Sequence, residues 1–480
     1  MTNIPSFSDL GVAPDILAAL EVKGFTQPTP IQAGTIPLLL NGEKDIVAQA
    51  QTGTGKTAAF GIPVLQRITP GLGKVQAIVL APTRELANQV CEEMSSLTAV
   101  RDIKILPIYG GQDMGAQLRA LRKGVDVVVG TPGRVIDHLN RKSLRLDDVQ
   151  YVILDEADEM LNMGFLEPIE TILGFVPQQR RMLLFSATMP APILKLARQF
   201  MGEYDVVKMA SNQDSSANVE QVFYEIKERD KLRALKRLID SESEFYSLVF
   251  CRTRAGSDRL AAKLSQMGYN VEALHGDVSQ SQRERILEKF KNGHSSMLVA
   301  TDVAARGIDV NNLSHVINFD LPDNPEVYVH RIGRTGRAGS TGKAISFVSQ
   351  GEFGKIRHIM KATRTEIAKK SLPAGQEVVE AKCDAIKQKV FDAAEGDIPQ
   401  AYHNLAKEML ASGKPATLLA ALLKEHYGTK LDAGAYPEIT EPERNRYHSR
   451  HQEFSHKQRG KSNSYYGKRK SSSFKRKRHY

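Results

Sequence analysis

The stretch Ala50-Gln51-Thr52-Gly53-Thr54-Gly55-Lys56-Thr57 decides how the chain is read. The apolar run at 45–48 before it has the composition of a buried strand end, and Ala58-Ala59-Phe60-Gly61-Ile62 opens a helix after it. A glycine-rich turn between strand and helix aims backbone N–H groups at phosphate oxygens, and the positive end of the helix dipole adds to the attraction. In that geometry Lys56 reaches the outer phosphates and the Thr57 hydroxyl is a ligand for Mg2+. The first position of the pattern, usually glycine, is Ala50. Taken alone, the loop also reads as a plain turn of small residues.

Working outward, each further apolar run ends in a polar cluster. Ala77-Ile78-Val79-Leu80 leads to Pro82-Thr83-Arg84-Glu85-Leu86-Ala87, and residues 125–129 lead to Gly130-Thr131-Pro132-Gly133-Arg134. Tyr151-Val152-Ile153-Leu154 delivers Asp155-Glu156-Ala157-Asp158, and residues 182–185 deliver Ser186-Ala187-Thr188. Continuous apolar strands alternating with helices predict an α/β fold with a parallel sheet covered on both faces. In such sheets the ligand sits at the carboxyl ends of the strands, where all these clusters fall. A small, polar segment at 209–218 reads as a linker. A second strand–helix series follows, with strands at 247–251, 271–274, 297–300, 315–319 and 344–348 but no phosphate loop of its own. From about 378 to 426 the pattern is helical, with Ile386, Val390 and Phe391 on one face, then Leu405, Met409 and Leu410, then Leu418, Leu419, Leu422 and Leu423. Such faces need a neighbour, either the second domain or a partner chain.

Composition narrows the class. A chain of 480 residues exceeds one core, and a prior of about three domains is reasonable. The apolar and charged shares, 41% and 25%, are those of a soluble protein, and apolar runs such as 416–423 are too short to span a bilayer. Residues 1–10 lack the basic and apolar regions of a secretory signal. Three scattered cysteines, Cys91, Cys251 and Cys383, with no C-x-x-C pair, are expected to be reduced thiols rather than zinc ligands, as in an intracellular protein. The net charge of +10 is concentrated: residues 442–480 hold 13 Lys and Arg against 2 acids, whereas the rest holds 52 basic and 53 acidic residues. A near-neutral body with a cationic tail points to a polyanionic partner.

The chemistry follows from residue types. Asp155 at a strand end is placed to hold Mg2+, and Glu156 beside it to orient and deprotonate an attacking water. Near the N-terminus, Gly24-Phe25-Thr26-Gln27-Pro28-Thr29-Pro30-Ile31-Gln32 reads as a loop entering a helix. Simple packing accounts for it, but beside a phosphate loop Phe25 is positioned to stack on a base, and the Gln32 amide offers adenine both a donor and an acceptor. Arg331, Arg334 and Arg337, interleaved with glycines, are spaced to bring a planar guanidinium to a γ-phosphate from the second domain.

Taken in order, these segments resemble those of the ATP-dependent DEAD-box RNA helicases over residues 7–350: Phe7 with Gly24–Gln32, the A-Q-T-G-T-G-K-T loop, P-T-R-E-L-A, Gly110-Gly111, T-P-G-R, D-E-A-D, S-A-T, the H-G-D segment with Gln280 and Arg283, A-T-D-V-A-A-R-G-I-D and H-R-I-G-R-T-G-R. The Ala50 departure is itself a form this family uses. The resemblance implies two tandem RecA-like domains at 1–208 and 219–375, a helical extension at 376–430 and a basic, disordered RNA-binding tail at 431–480. It implies ATP held by Ala50, Gln51, Thr52, Gly53, Thr54, Gly55, Lys56 and Thr57, adenine read by Phe25, Gln27 and Gln32, ribose by Asp309, and Mg2+ by Thr57 and Asp155. Catalysis falls to Lys56, Asp155, Glu156, His330 and the arginine fingers Arg334 and Arg337, with His330 near the attacking water and the domain interface. Ser186 and Thr188 are implied to couple hydrolysis to strand separation. Arg84, Gly111, Thr131, Arg134 and Thr301 match RNA-contacting positions, and the helix beginning at Gly133 resembles the wedge that bends one strand. RNA would be held by backbone phosphates and 2′-hydroxyls.

The segments D-E-A-D-E-M-L-N-M-G-F and F-S-A-T-M-P-A-P, with the helical extension, resemble the bacterial cold-shock and mRNA-decay branch, whose extension is associated with dimerisation. This implies a cytoplasmic enzyme of ribosome assembly, mRNA decay or cold adaptation, and partners in those machineries. Tyr447, Phe454, Tyr465, Tyr466 and Phe474 among the tail's basic residues suit salt-sensitive, sequence-tolerant RNA tethering. The alternatives are a non-unwinding RNA clamp or scaffold and a related nucleic-acid translocase.

Overall fold

The computed structural model describes residues 5–51, 53–98, 101–209, 218–242, 244–308, 310, 313–336, 341–411 and 413–440. In the first lobe β1 (Asp45–Gln49), β2 (Ala77–Leu80), β3 (Ile105–Ile108), β4 (Val127–Gly130), β5 (Tyr151–Leu154), β6 (Arg181–Ser186) and β7 (Tyr204–Lys208) form one sheet in the order β3-β4-β2-β5-β6-β1-β7. In the second, β8 (Val219–Glu225), β9 (Ser247–Phe250), β10 (Val271–Leu274), β11 (Met297–Ala300), β12 (His315–Asn318), β13 (Gly342–Val348) and β14 (Ala368–Lys369) follow the order β10-β11-β9-β12-β13-β8-β14. Every pairing in both sheets is parallel, and the second order repeats the first strand for strand.

Alternation along each strand builds two cores per sheet. On one face of the first sheet Ile46, Ala48, Val79, Ile153, Leu183 and Phe185 pack under the helices Pro30–Asn41, Lys56–Arg67 and Arg84–Ser96. On the other face Val47, Ile78, Val152, Leu154, Met182 and Leu184 pack together. The second sheet divides in the same way, with Val249, Val299, Ile317 and Phe347 on one side and Leu248, Leu298, Ala300 and Val316 on the other. Both faces are dry, as expected of an all-parallel sheet. Because β6 lies between β1 and β5, the loop after β1 and the acidic turn after β5 come within reach of one another.

Four strands carry no clear apolar run. β3 contains Pro107 and is an edge strand, β7 and β14 are edges with exposed positions, and β8 places Glu220 and Gln221 among its apolar residues. Beyond the second sheet come the helices Gly375–Glu395, Gln400–Leu410 and Pro415–Tyr427. Val378 is buried, but Val390, Phe391, Leu405, Leu410, Leu419 and Leu422 are exposed, so these helices pack on the second lobe only at their beginning. The linker at 209–218, apart from its end residues, and the tail from 441 onward lie outside the described residues.

Residues 431–440, read above as the start of the tail, instead return to the second lobe. Tyr436 is buried, its hydroxyl donating to Asp240 Oδ2 at 2.8 Å. Asp240 Oδ1 accepts from the Tyr269 hydroxyl and pairs with Lys382 Nζ, both at 2.8 Å. Arg237 donates to the Pro373 and Tyr436 carbonyls, each at 3.1 Å, and Lys236 Nζ lies 4.6 Å from the centre of the Tyr436 ring. One carboxylate thus joins the strap, the extension and the lobe. Asp240→Ala removes the acceptor for two tyrosine hydroxyls and a lysine, and should lower second-lobe stability in urea unfolding by about 3 kcal/mol. An unchanged midpoint would mean the strap contributes nothing.

Candidate active site at the meeting of two lobes

The phosphate loop is shaped by what surrounds it. Gly53 and Gly55 have φ of +83° and +85°, the left-handed region that glycine enters without strain. A Cβ on Gly55 would lie 2.4 Å from Gln32 Nε2, so the position excludes side chains for reasons of space as well. Gln32 is buried, donating to the Gly55 carbonyl at 3.2 Å and accepting from the Thr29 N–H at 2.9 Å. In this structure both ends of its amide are used to fasten the N-terminal segment to the loop. Phe25 packs partly against the first core, with Lys23 Nζ 5.8 Å from its ring centre, and Gln27 is exposed. Ala50 is tied to β6 through the Ser186 carbonyl at 3.0 Å, and the Thr54 hydroxyl donates to the Gln51 carbonyl at 2.8 Å.

Lys56 opens the helix Lys56–Arg67, and its ammonium is buried. It lies 3.9 Å from Asp155 Oδ1 and has no hydrogen-bond acceptor among the described residues. A buried ammonium short of acceptors, at a helix start and inside a glycine loop, suits phosphate oxygens. Thr57 is half-buried on the next position.

The acidic turn after β5 gives each carboxylate a separate task. Asp155 is buried, and burial pushes its carboxyl up to about 6; Lys56 pulls it down, while the charge of Glu156 adds to the rise. Glu156 has φ of +50°, a conformation costing a non-glycine residue about 1–2 kcal/mol, and its carbonyl accepts from the Glu159 and Met160 N–H groups at 3.0 Å each. The helix Ala157–Asn162 therefore holds the strained residue in place. Asp158 Oδ2 accepts from both the N–H and the hydroxyl of Thr188 at 2.8 Å, and its own N–H donates to Ser186 Oγ at 3.3 Å. Ser186 and Thr188 thus brace the acidic turn from β6.

The second lobe faces this turn with cations. A cavity between the lobes is lined by Glu156 and Glu159 on one side and by Asp302, Arg306, His330 and Arg334 among others on the opposite side. His330 Nδ1 lies 3.6 Å from Glu159 Oε2. Burial pushes the imidazole down, but the adjacent Glu159 carboxylate and the charges of Asp158 and Glu156 outweigh it, leaving its pKa above the ordinary value. Arg334 is buried and donates to the Ile308 carbonyl at 2.9 Å. Arg331 differs from the reading that grouped it with Arg334. Its guanidinium is committed to Asp302 at 2.6 and 2.8 Å, to Asn318 at 2.8 Å and to the Asp320 carbonyl at 2.7 Å, making it an internal strut. Thr52, Asp309 and Arg337 lie outside the described residues.

A second, open cleft is lined by Arg84, Gly111, Thr131 and Arg134 from the first lobe and by His275, Gly276 and Gln280 from the second. Gly111 has φ of +91°, and a Cβ there would meet Arg84 Nη1 at 2.3 Å. Arg134 donates to the Tyr109 and Gln112 carbonyls at 3.1 and 3.0 Å, so it also fixes the Gly110-Gly111 turn. Thr301 is buried at the end of β11 and is not part of the lining. The lobes are joined beside this cleft by Arg84–Gln280 at 3.1 Å and Glu85–Arg283 at 2.5 Å. Glu85, Glu159 and Arg306 were not singled out from sequence. Each sits inside a recognised motif, and only its partner in the opposite lobe reveals its use.

Among known proteins, residues 29–196 match the DEAD/DEAH box helicase family model and residues 230–339 the helicase conserved C-terminal domain. The DEAD-box ATP-dependent RNA helicase CshA of Geobacillus kaustophilus is 48% identical over 419 residues, covering 87% of this chain and 90% of that protein. The structure of S. cerevisiae Dbp5 bound to RNA and ADP BeF3 aligns with a TM-score of 0.72 at 34% identity, over 79% of this chain and 99% of that one. Mss116p bound to ssRNA and AMP-PNP aligns at 0.71 with 27% identity, over 95% and 96%. With the phosphate loop, the acidic turn and the opposing basic lobe assembled at one site, the chain belongs to the DEAD-box ATP-dependent RNA helicases.

Proposed function

We propose that this RNA-stimulated ATPase binds ATP between its lobes, closes on RNA across the second cleft, locally unwinds short duplexes, and reopens when hydrolysis severs the bridge. The observation that carries the reading is the opposition of the buried Lys56–Asp155 pair and strained Glu156 to His330 and Arg334 across the interlobe cavity. The loop from Ala50 to Thr57 cradles the phosphates, with Lys56 on the outer ones, Phe25, Gln27 and Gln32 toward adenine, and Asp309 on the ribose. Among the described residues no group of three or more His, Cys, Asp or Glu forms a metal cage, and a hydroxyl, a carboxylate and phosphate oxygens form a hard donor set suited to Mg2+. Asp155 and Thr57 would hold that ion, which when bound neutralises charge on the phosphates. Glu156 orients and deprotonates water, Arg334 and Arg337 meet the charge developing on the γ-phosphate, and His330 links that position to the interface. Ser186 and Thr188, by bracing the acidic turn, transmit its state to the rest of the first lobe.

RNA is held by Arg84, Gly111, Thr131, Arg134 and Thr301 through its backbone, so that shape rather than sequence is read. The resemblance of D-E-A-D-E-M-L-N-M-G-F, F-S-A-T-M-P-A-P and the helical extension to the bacterial cold-shock and mRNA-decay branch supports work in cold adaptation, ribosome assembly or mRNA decay in the cytoplasm, alongside the assembly or degradation machinery; no helix among the described residues is long and apolar enough to cross a membrane. The exposed apolar residues of the three C-terminal helices support a homodimer through 376–430.

Glu156→Gln should retain nucleotide binding while RNA-stimulated ATP turnover falls by about 100-fold or more. Turnover at the wild-type rate would remove Glu156 from the chemistry. Ending the chain at residue 440 should weaken RNA binding and flatten its salt dependence, while the maximal rate at saturating RNA is kept. An identical salt slope would make the tail a bystander. Sedimentation of the full chain at micromolar concentration should give a dimer that Phe391→Glu with Leu419→Glu dissociates; a wild-type monomer would sink the homodimer.

A further inference from the structure

Glu159 follows the acidic tetrad immediately, yet it does not share the tetrad's surroundings. Its side chain is 2% exposed, and it pairs with Arg306, which follows β11 and is 18% exposed. The other carboxylate oxygen lies 3.6 Å from His330 Nδ1. Both partners belong to the second lobe, and among the described residues Glu159 has no basic partner in its own lobe. Asp158, one residue earlier, is satisfied wholly within the first lobe by Thr188 and Ser186. Two adjacent carboxylates are therefore divided between the lobes, one bracing its own domain and the other reaching across.

The energetics give that division a direction. With the lobes apart, Glu159 and Arg306 are each solvated and need no partner. Bringing the lobes together withdraws the carboxylate from water, which is tolerable only if it is paired. The pair thus distinguishes closed from open states, and loss of one partner penalises the closed state alone, as a contact that biases a two-state equilibrium must. Its position matters equally. The Glu159 N–H donates at 3.0 Å to the carbonyl of Glu156, the residue held at φ of +50°, and Glu156, Glu159, Arg306, His330 and Arg334 line one cavity.

We propose that Glu159 is a positioning residue of the hydrolytic cycle, a latch that pairs with Arg306 and His330 only when the lobes close and so fixes the backbone of Glu156 when water is to be activated. This rests on the reading that the lobes close on ATP and RNA. The latch contacts neither reacting atoms nor RNA; it acts through Glu156 and through the closing equilibrium.

The test is a double-substitution cycle in the full-length chain, Glu159→Gln, Arg306→Gln and both together, reading steady-state ATP turnover against oligo(U) RNA concentration. A fluorescent ADP analogue reports whether the nucleotide lobe is folded. Each single substitution should raise the RNA concentration for half-maximal turnover about tenfold, with ADP affinity kept. The double variant, which removes both charges of the Glu159–Arg306 pair together, should lie nearer wild type than the product of the two single effects. Should Glu159→Gln fail to bind ADP, Arg306→Gln, on the other lobe, carries the same prediction. A wild-type RNA titration in either folded single variant, or single effects that simply multiply in the double, would overturn the latch. A wild-type enzyme indifferent to RNA would overturn the functional reading itself, and that result requires no variant.

Discussion

A charge taken out of water must find a partner, and the arrangement of both lobes follows from where those partners lie. Lys56, Asp155 and Glu159 are all buried at the carboxyl end of the first sheet. Lys56 and Asp155 stand 3.9 Å apart, near enough to offset one another's charge but too far to share a hydrogen bond, so the ammonium is left with capacity for phosphate. Glu159 has no such compensation at home and is matched by Arg306 across the gap. The ammonium's spare capacity and the ion pair across the gap are two consequences of one electrostatic demand.

The repetition of strand order makes this opposition possible. Two sheets with the same topology present the same kind of edge, a row of strand ends and helix starts, but the loops attached to them differ in charge. The first lobe contributes the phosphate loop and four carboxylates at 155–159, and the second contributes Arg306, His330 and Arg334. Neither edge is complete alone. On the proposed function, a site divided in this way would be assembled and dismantled by domain motion.

Among the described residues, the C-terminal helices and the strap extend the second lobe without joining either active edge. The extension begins packed on the helix Lys231–Ser241 near Val378 and Lys382, and the chain returns to the same helix at Tyr436, with Asp240 fastening both ends. The strong positive charge begins only after this strap, from residue 442 onward, leaving the strapped body close to neutral.

Much of this was legible in the residues. Apolar runs such as Ile78-Val79-Leu80 and Val152-Ile153-Leu154 can be buried on both faces only in a covered parallel sheet, and Gly53, Gly55 and Lys56 announce a phosphate loop by their spacing. The edge strands β3, β7 and β14 and the mixed strand β8 were not legible, unlike the edge strand β10 at 271–274, because half-solvated strands lose the two-sided apolar pattern that marks a central strand. The strap at Tyr436 was hidden for a related reason: a single aromatic in a polar stretch has no period. Which carboxylate stays home and which crosses, and that Arg331 is tied to Asp302, Asn318 and Asp320 as a strut, were decided by tertiary structure alone. Sequence determines chemistry and local period, since both reside in neighbouring residues. The pairing of Glu159 with Arg306, 147 positions later, depends on two folded sheets meeting edge to edge, and no local pattern encodes that distance.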